Sequence, residues 1–352
     1  MKQIKFPFIA IALIVVAVSC KKTNSGTVPP ITDGLLVLNQ GNFGHNNTTL
    51  TYYDLATSKQ YTDYFADINH FGLGDAGSDF IVYGGKIYIV MNNSGNVTVV
   101  NSSTGKLVDT IGFTNAGVNR QPENIVSYGG KVFVSSTDGT VAVIDTTTLT
   151  VSQFITVGAN PAQMVVSGTN LYVSNTGGFS AEFDSTVSVI NLTTLTETQK
   201  IVVGVNPGSL AADNSGNIYV ACTGDYNTVA PSLVKVDIST NTVIKSADTT
   251  VGTVRFYNGN LYVTGGYLGA PVVRILSTTD FSLIANFITD NTAIENPYGV
   301  DIDSTTGDVY IADAKDYSSA GEVFSFDNTG KLRFSFSVKP GISPCKVIPI
   351  SH

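Results

Sequence analysis

The sequence predicts an all-β, seven-bladed β-propeller with four antiparallel strands per blade, closed by the C-terminal strand pairing with the first blade. Three observations carry this reading. An aromatic flanked by aliphatics recurs after Gly-Gly-Lys or Asn-bearing turns, as Ile87-Tyr88-Ile89, Val132-Phe133-Val134, Leu171-Tyr172-Val173, Ile218-Tyr219-Val220, Leu261-Tyr262-Val263 and Val309-Tyr310-Ile311. The six aromatics lie 45, 39, 47, 43 and 48 residues apart, and a period near 44 filled with short β-like runs is the mark of a four-stranded blade. Finally, an orphan run at the C-terminus matches a strand that the N-terminal unit lacks.

Each blade reads in order. Pro122, Pro161, Pro207 and Pro297 open short apolar runs upstream of the aromatic phrase, with Gly77 and Gly252 in the comparable place elsewhere. Proline suits the first residue of a strand, where its missing N–H falls outside the ladder. A turn such as Tyr83-Gly84-Gly85 then leads into the aromatic phrase, the second strand. The third strand alternates cleanly, in Val97–Asn101, Val141–Asp145, Val187–Asn191, Leu233–Asp237 and Val323–Asp327. Each ends on Asn or Asp before a polar, mostly Ser- and Thr-rich turn whose side chains can bond the turn backbone. Leu107–Ile111 and Val151–Val157 exemplify the fourth strand.

The first unit supplies Leu35–Leu38, Leu50–Asp54 and Gln60–Phe65 as second, third and fourth strands, with no first strand. Pro344-Cys345-Lys346-Val347-Ile348 supplies it, and closure of the ring removes exposed sheet edges at the seam. The repeated aromatics are read as core packed between blades and not as functional residues. Cys222 and Cys345 fall in different blades, which favours two buried thiols over a disulfide.

The N-terminus reads as an export segment. Lys2 and Lys5 precede an apolar run from Phe6 to Val18, too short to span a bilayer stably. Ala17-Val18-Ser19-Cys20 resembles a bacterial lipobox, which makes Cys20 the lipidation site; an ordinary secretory signal with an incidental cysteine is the alternative. Residues 1–19 are thus a lipoprotein signal peptide, 20–32 a flexible lipid-anchored tether, and 33–352 the propeller. The expected location is the cell envelope, as a surface-exposed outer-membrane lipoprotein.

A net charge of −8 argues against a nucleic-acid partner, which needs a basic stripe. With three histidines, one of them terminal, the chain offers no His cluster for zinc or copper, and it carries no nucleophile elbow, phosphate loop or His-Glu-x-x-His. The expectation is a non-enzymatic protein without a cofactor or metal. Glu123-Asn124 and Glu295-Asn296 leave a calcium-dependent lactonase-type hydrolase as a minor alternative.

Loops joining second to third strands share one face with those joining successive blades, and here they are long and irregular. Long loops on a rigid scaffold are where binding resides. This face is expected to present Asn42, Phe43, His45, His70, Phe71, Asn93, Arg120, Phe179, Tyr226, Tyr267, Tyr298, Lys315, Asp316 and Tyr317 to a ligand. Aromatic plates beside amide donors suit a large, partly apolar, polar-edged molecule. The chain has no Trp to stack a sugar, which lowers a glycan reading.

Two stretches are more specific than a generic blade: Asn39-Gln40-Gly41-Asn42-Phe43 through Leu50–Asp54 to Leu73-Gly74-Asp75, and Gly307–Tyr317 through Gly321-Glu322-Val323 to Gly330-Lys331-Leu332 and Pro340-Gly341. In these the chain resembles a Bacteroidetes family of YncE-like surface propellers, the DUF5074 group. That group includes lipoproteins that capture cobalamin at the cell surface and pass it to a TonB-dependent outer-membrane transporter. The resemblance implies a corrinoid ligand and such a transporter as partner; a surface interaction or adhesion module for a protein or glycan is the alternative.

Overall fold

The computed structural model describes residues 28–178, 180–265 and 270–351. The signal peptide, Cys20, most of the tether, Phe179 and Tyr267 lie outside the described residues.

Seven four-stranded antiparallel sheets form a closed ring. Blade 1 combines Pro344–Ile350, innermost, with Gly34–Asn39, Thr49–Asp54 and Lys59–Tyr61. The closing strand pairs Val347 with Val37 and Ile350 with Gly34. The inner strands of blades 2 to 7 are Gly77–Tyr83, Pro122–Tyr128, Pro161–Ser167, Pro207–Ala212, Val254–Tyr257 and Pro297–Ile302. All four blade-opening prolines stand at the first residue of their strands, as the ladder argument requires.

The aromatic phrase is core. Its six rings are at most 6% exposed, and each sits in an apolar layer between two neighbouring blades; Tyr88, for example, meets Ile125 and Val132 of blade 3. Burial of one such ring stabilises the fold by roughly 2–3 kcal/mol. Seven layers of this kind hold the ring together. Cys222 is a buried free thiol; Cys345, also free, is partly open to the channel.

One element departs from expectation. The fourth strand of blade 1 stops at Tyr61 instead of continuing to Phe65, and Tyr64–Asn69 is a short helix, α1. Asp63 caps it by accepting from the Ala66 N–H at 3.3 Å, and Tyr64 and Phe65 turn inward to bury their rings. Capping and burial together outweigh the strand propensity of the Tyr-rich run.

Inside the ring the inner strands are tied blade to blade by side chain–backbone hydrogen bonds. Asp79 accepts from the Ile125 N–H at 3.2 Å, Asn124 from Met164 at 2.9 Å, Gln163 from Leu210 at 3.4 Å and Ser209 from Val254 at 3.1 Å. At the seam the pattern changes. Blade 7 has Gly299 at this register, where a Cβ would come within 2.4 Å of the Cys345 carbonyl oxygen. Asp301 takes over, accepting from the Val347 N–H at 2.9 Å.

Candidate functional site

Asx carboxylates fix the long loops. Asp75 accepts from the Gly44 N–H at 2.9 Å and from the Asn93 amide at 2.6 Å, joining the loop of blade 1 to the turn of blade 2. Asp313, 2% exposed, accepts from the N–H groups of Asn296 (2.8 Å), Lys315 (2.9 Å) and Glu295 (3.1 Å). Asp225 closes its own loop, and the Val229 N–H leads the bonds that hold its carboxyl down to about 2. These carboxylates tie the loops they serve to the scaffold.

The loops of blades 7 and 1 converge. Asn42 donates from its side chain to the Tyr317 carbonyl at 3.1 Å, and the Tyr298 hydroxyl donates to Gln40 Oε1 at 3.1 Å. The rings of Tyr298 and Tyr317 meet edge to face at 5.4 Å. With Lys315, Glu295, Thr253 and Pro271 they line a cleft of about 440 Å³. Lys315 pairs with Glu322 at 3.3 Å. Asp316 organises its own turn, accepting from the Ser318 and Ser319 N–H groups, and the Ser319 bond leads those that hold its carboxyl below the usual range.

A second, larger groove of about 670 Å³ lies at the channel mouth, lined by Phe43, Asn92, Gln121, Glu123, Asn160 and Thr176 among others. Phe43 projects with 67% of its surface exposed, and His45 stands beside it in the same exposed turn. The groove thus sets an exposed apolar ring beside side-chain amides and a carboxyl.

The other expected residues lie elsewhere. Arg120 is spent within the fold: it pairs with Asp138 and stacks 3.9 Å above the Phe154 ring, leaving its side chain only 12% exposed. Tyr226 projects from the blade 5 loop in a left-handed conformation against Phe183. His70 caps α1 in the left-handed region (φ 63°), and Phe71 packs edge-on against Phe65. Asn69 holds α1 to the Gly105 carbonyl at 2.9 Å, in a third-to-fourth-strand turn. That puts His70 and Phe71 on the outer flank, away from the channel mouth.

Below the groove, the channel narrows to a space of about 360 Å³ lined by Asp79, Glu123, Asn124, Gln163, Arg255 and Lys346, among others. The Lys346 ammonium lies 3.2 Å from Asp79 and 4.0 Å from Asp301, which Arg255 approaches at 3.6 Å. Burial alone would depress Lys346, but the two carboxylates outweigh it and raise its pKa. Among the described residues no cation pairs with Glu123. Burial and then the Asp79 charge push its carboxyl up to about 7, against the 2.8 Å bond from the Asn92 amide. Burial also pushes the Cys345 thiol up, which disfavours the thiolate.

Sequence reasoning selected the long loops and passed over Asn92 and Asn160, which occupy short connections, and Gln121, the last residue of the long loop 115–121. The signal was their register: Gln121 and Asn160 immediately precede the blade-opening Pro122 and Pro161, so they sit at the channel rim in every closed ring.

Fold and site together define a seven-bladed propeller with a rigid loop face and a groove over its channel. Residues 33–332 match the family model for a domain of unknown function, DUF5074, and the chain belongs to that family. No curated protein matches it. Among solved structures it is similar to a quinonprotein alcohol dehydrogenase-like protein from Bacteroides thetaiotaomicron, at 13% identity and a TM-score of 0.68 over 91% of this chain and 79% of that one. It is also similar to the hydrazine synthase of Kuenenia stuttgartiensis (18% identity, TM-score 0.57, 69% and 74% covered) and to BamB from Moraxella catarrhalis (13%, 0.54, 80% and 79%). At these identities the likeness is one of fold alone.

Proposed function

We propose that this is a lipid-anchored, non-enzymatic binding protein of the cell envelope that captures a ligand on its long-loop face, with a corrinoid as the ligand and a TonB-dependent outer-membrane transporter as the recipient. The 670 Å³ groove supports the reading best, because it sets an exposed Phe43 ring beside the side chains of Asn92, Gln121 and Asn160. A broad ring edged with amides matches such a surface: the face of the macrocycle covers the aromatic, and its rim exchanges hydrogen bonds with side-chain amides. Lys346 supports the non-enzymatic clause, since its ammonium takes the place between Asp79 and Asp301 that a channel cation would need.

The test is calorimetry. Cyanocobalamin titrated into micromolar protein gives a saturable heat, and Phe43→Ala weakens the affinity by about tenfold, or 1.4 kcal/mol. An absence of heat removes the corrinoid clause. Recovery of a transporter on affinity purification of the anchored protein tests the partner.

A further inference from the structure

We infer that the short-turn face of the propeller is its membrane-facing surface, so that the ligand groove opens away from the bilayer carrying the anchor. The inference deepens the proposed function and rests on its lipid-anchor clause.

The argument begins where the described chain begins. Residues 28–33 do not leave the molecule freely but run along the rim of the short-turn face between blades 1 and 2. Val28 packs against the apolar layer of those blades. The Pro29 carbonyl accepts from the Tyr64 hydroxyl at 2.8 Å. The Ile31 N–H donates to the Ser103 carbonyl, also at 2.8 Å, in the third-to-fourth-strand turn of blade 2. Thr32 meets the Tyr52 hydroxyl at 3.1 Å, with Ile31 itself buried. Gly34 then starts its strand at this face and runs toward the long loops. The tether is therefore fastened at one rim of the molecule, on the side opposite the groove.

Covalent length does the rest. Eight residue steps separate Cys20 from Val28, a reach of at most about 28 Å even when fully extended. A six-residue strand is about 20 Å tall, and loops at each end bring a blade to roughly 30 Å. An inverted molecule would need the tether stretched to its limit along the whole blade, which forfeits all its conformational entropy. With the short-turn face toward the lipid, those eight steps need span only the gap between that rim and the bilayer. That face suits a headgroup neighbour: its connections are short polar turns such as Thr146-Thr147-Thr148 and Ser277-Thr278-Thr279, closed by their own Asx and Ser bonds.

One consequence concerns hand-off. A transporter in the same bilayer must reach over the rim to the groove, or the propeller must tip on its tether.

The orientation is tested with the full lipidated chain in vesicles containing a headgroup-labelled acceptor lipid. A fluorescent amino acid is placed, one variant at a time, at the exposed turn residues Thr147 or Thr279, or at the loop residues Phe43 or Val229. Energy transfer several-fold greater from the first pair than the second is expected. Equal or reversed transfer overturns the inference. A 30-residue Gly/Ser insertion after Lys22 should abolish the difference; its persistence would show that the tether does not set the orientation. Failure of the anchor reading shows separately, as the absence of acyl mass on residue 20.

Discussion

Glu123 is the residue whose chemistry its surroundings change most usefully. Its carboxyl faces the groove on one side and the Asp79 anion on the other, with only the Asn92 amide in compensation. Raised in the folded state from 4.5 to about 7, it favours folding fully below its unfolded pKa, and that stabilisation is lost as pH rises through about 7. Glu123→Gln should therefore melt higher than the parent at pH 8, by on the order of 3 kcal/mol at most, and match it at pH 4. Identical melting differences at both pH values would show that the carboxyl is not perturbed. Nothing in the local sequence around Glu123 announced this: its neighbours Asn92 and Asp79 lie 31 and 44 residues away, on another blade. Arg120 teaches the converse. As an arginine in a long loop it read as a ligand contact, yet Asp138 and Phe154 consume it.

At the scale of the element, the long loops behave as parts of the scaffold because single buried carboxylates gather their backbone donors. Asp313 is the clearest, at the end of a second strand and serving three N–H groups from two separate segments. Asp313→Ala leaves those donors unpaired and should cost about 2 kcal/mol in a denaturant titration. It should also weaken ligand binding without touching the groove, because a segment it holds carries the Tyr317 carbonyl that accepts from Asn42, next to Phe43. A variant with parental stability would mean that water replaces the carboxylate. The strands themselves were legible, since alternation and turn chemistry are local properties of four to eight residues. Helix α1 was not. Its run of Tyr, Thr, Asp and Phe favours a strand by composition, and the Asp63 cap together with burial of Tyr64 and Phe65 against blade 2 and the tether reverses that preference.

For the molecule as a whole, closure is the decisive contact. The Pro344–Ile350 strand completes blade 1 and carries Lys346 and Val347 into the seam with blades 2 and 7. Truncation before Pro344 should remove more than about 4 kcal/mol by exposing Val347, Ile350 and their partners. It should replace a single cooperative melt by a broad, aggregation-prone transition in circular dichroism and size-exclusion profiles. A truncated chain that still melts sharply as a monomer would mean that the ring does not depend on its closing strand.

The repeat period, the aromatic core, the strand-opening prolines and the borrowed C-terminal strand were all determined by the sequence alone, because each is a pattern of near neighbours copied around a ring. The tertiary structure alone decided which loop side chains are free to meet a ligand, why Glu123 holds its proton near neutrality, and on which face the tether is fastened. Those properties arise from residues on different blades brought within a few ångströms, and the order of residues along one blade does not encode its neighbour's charges.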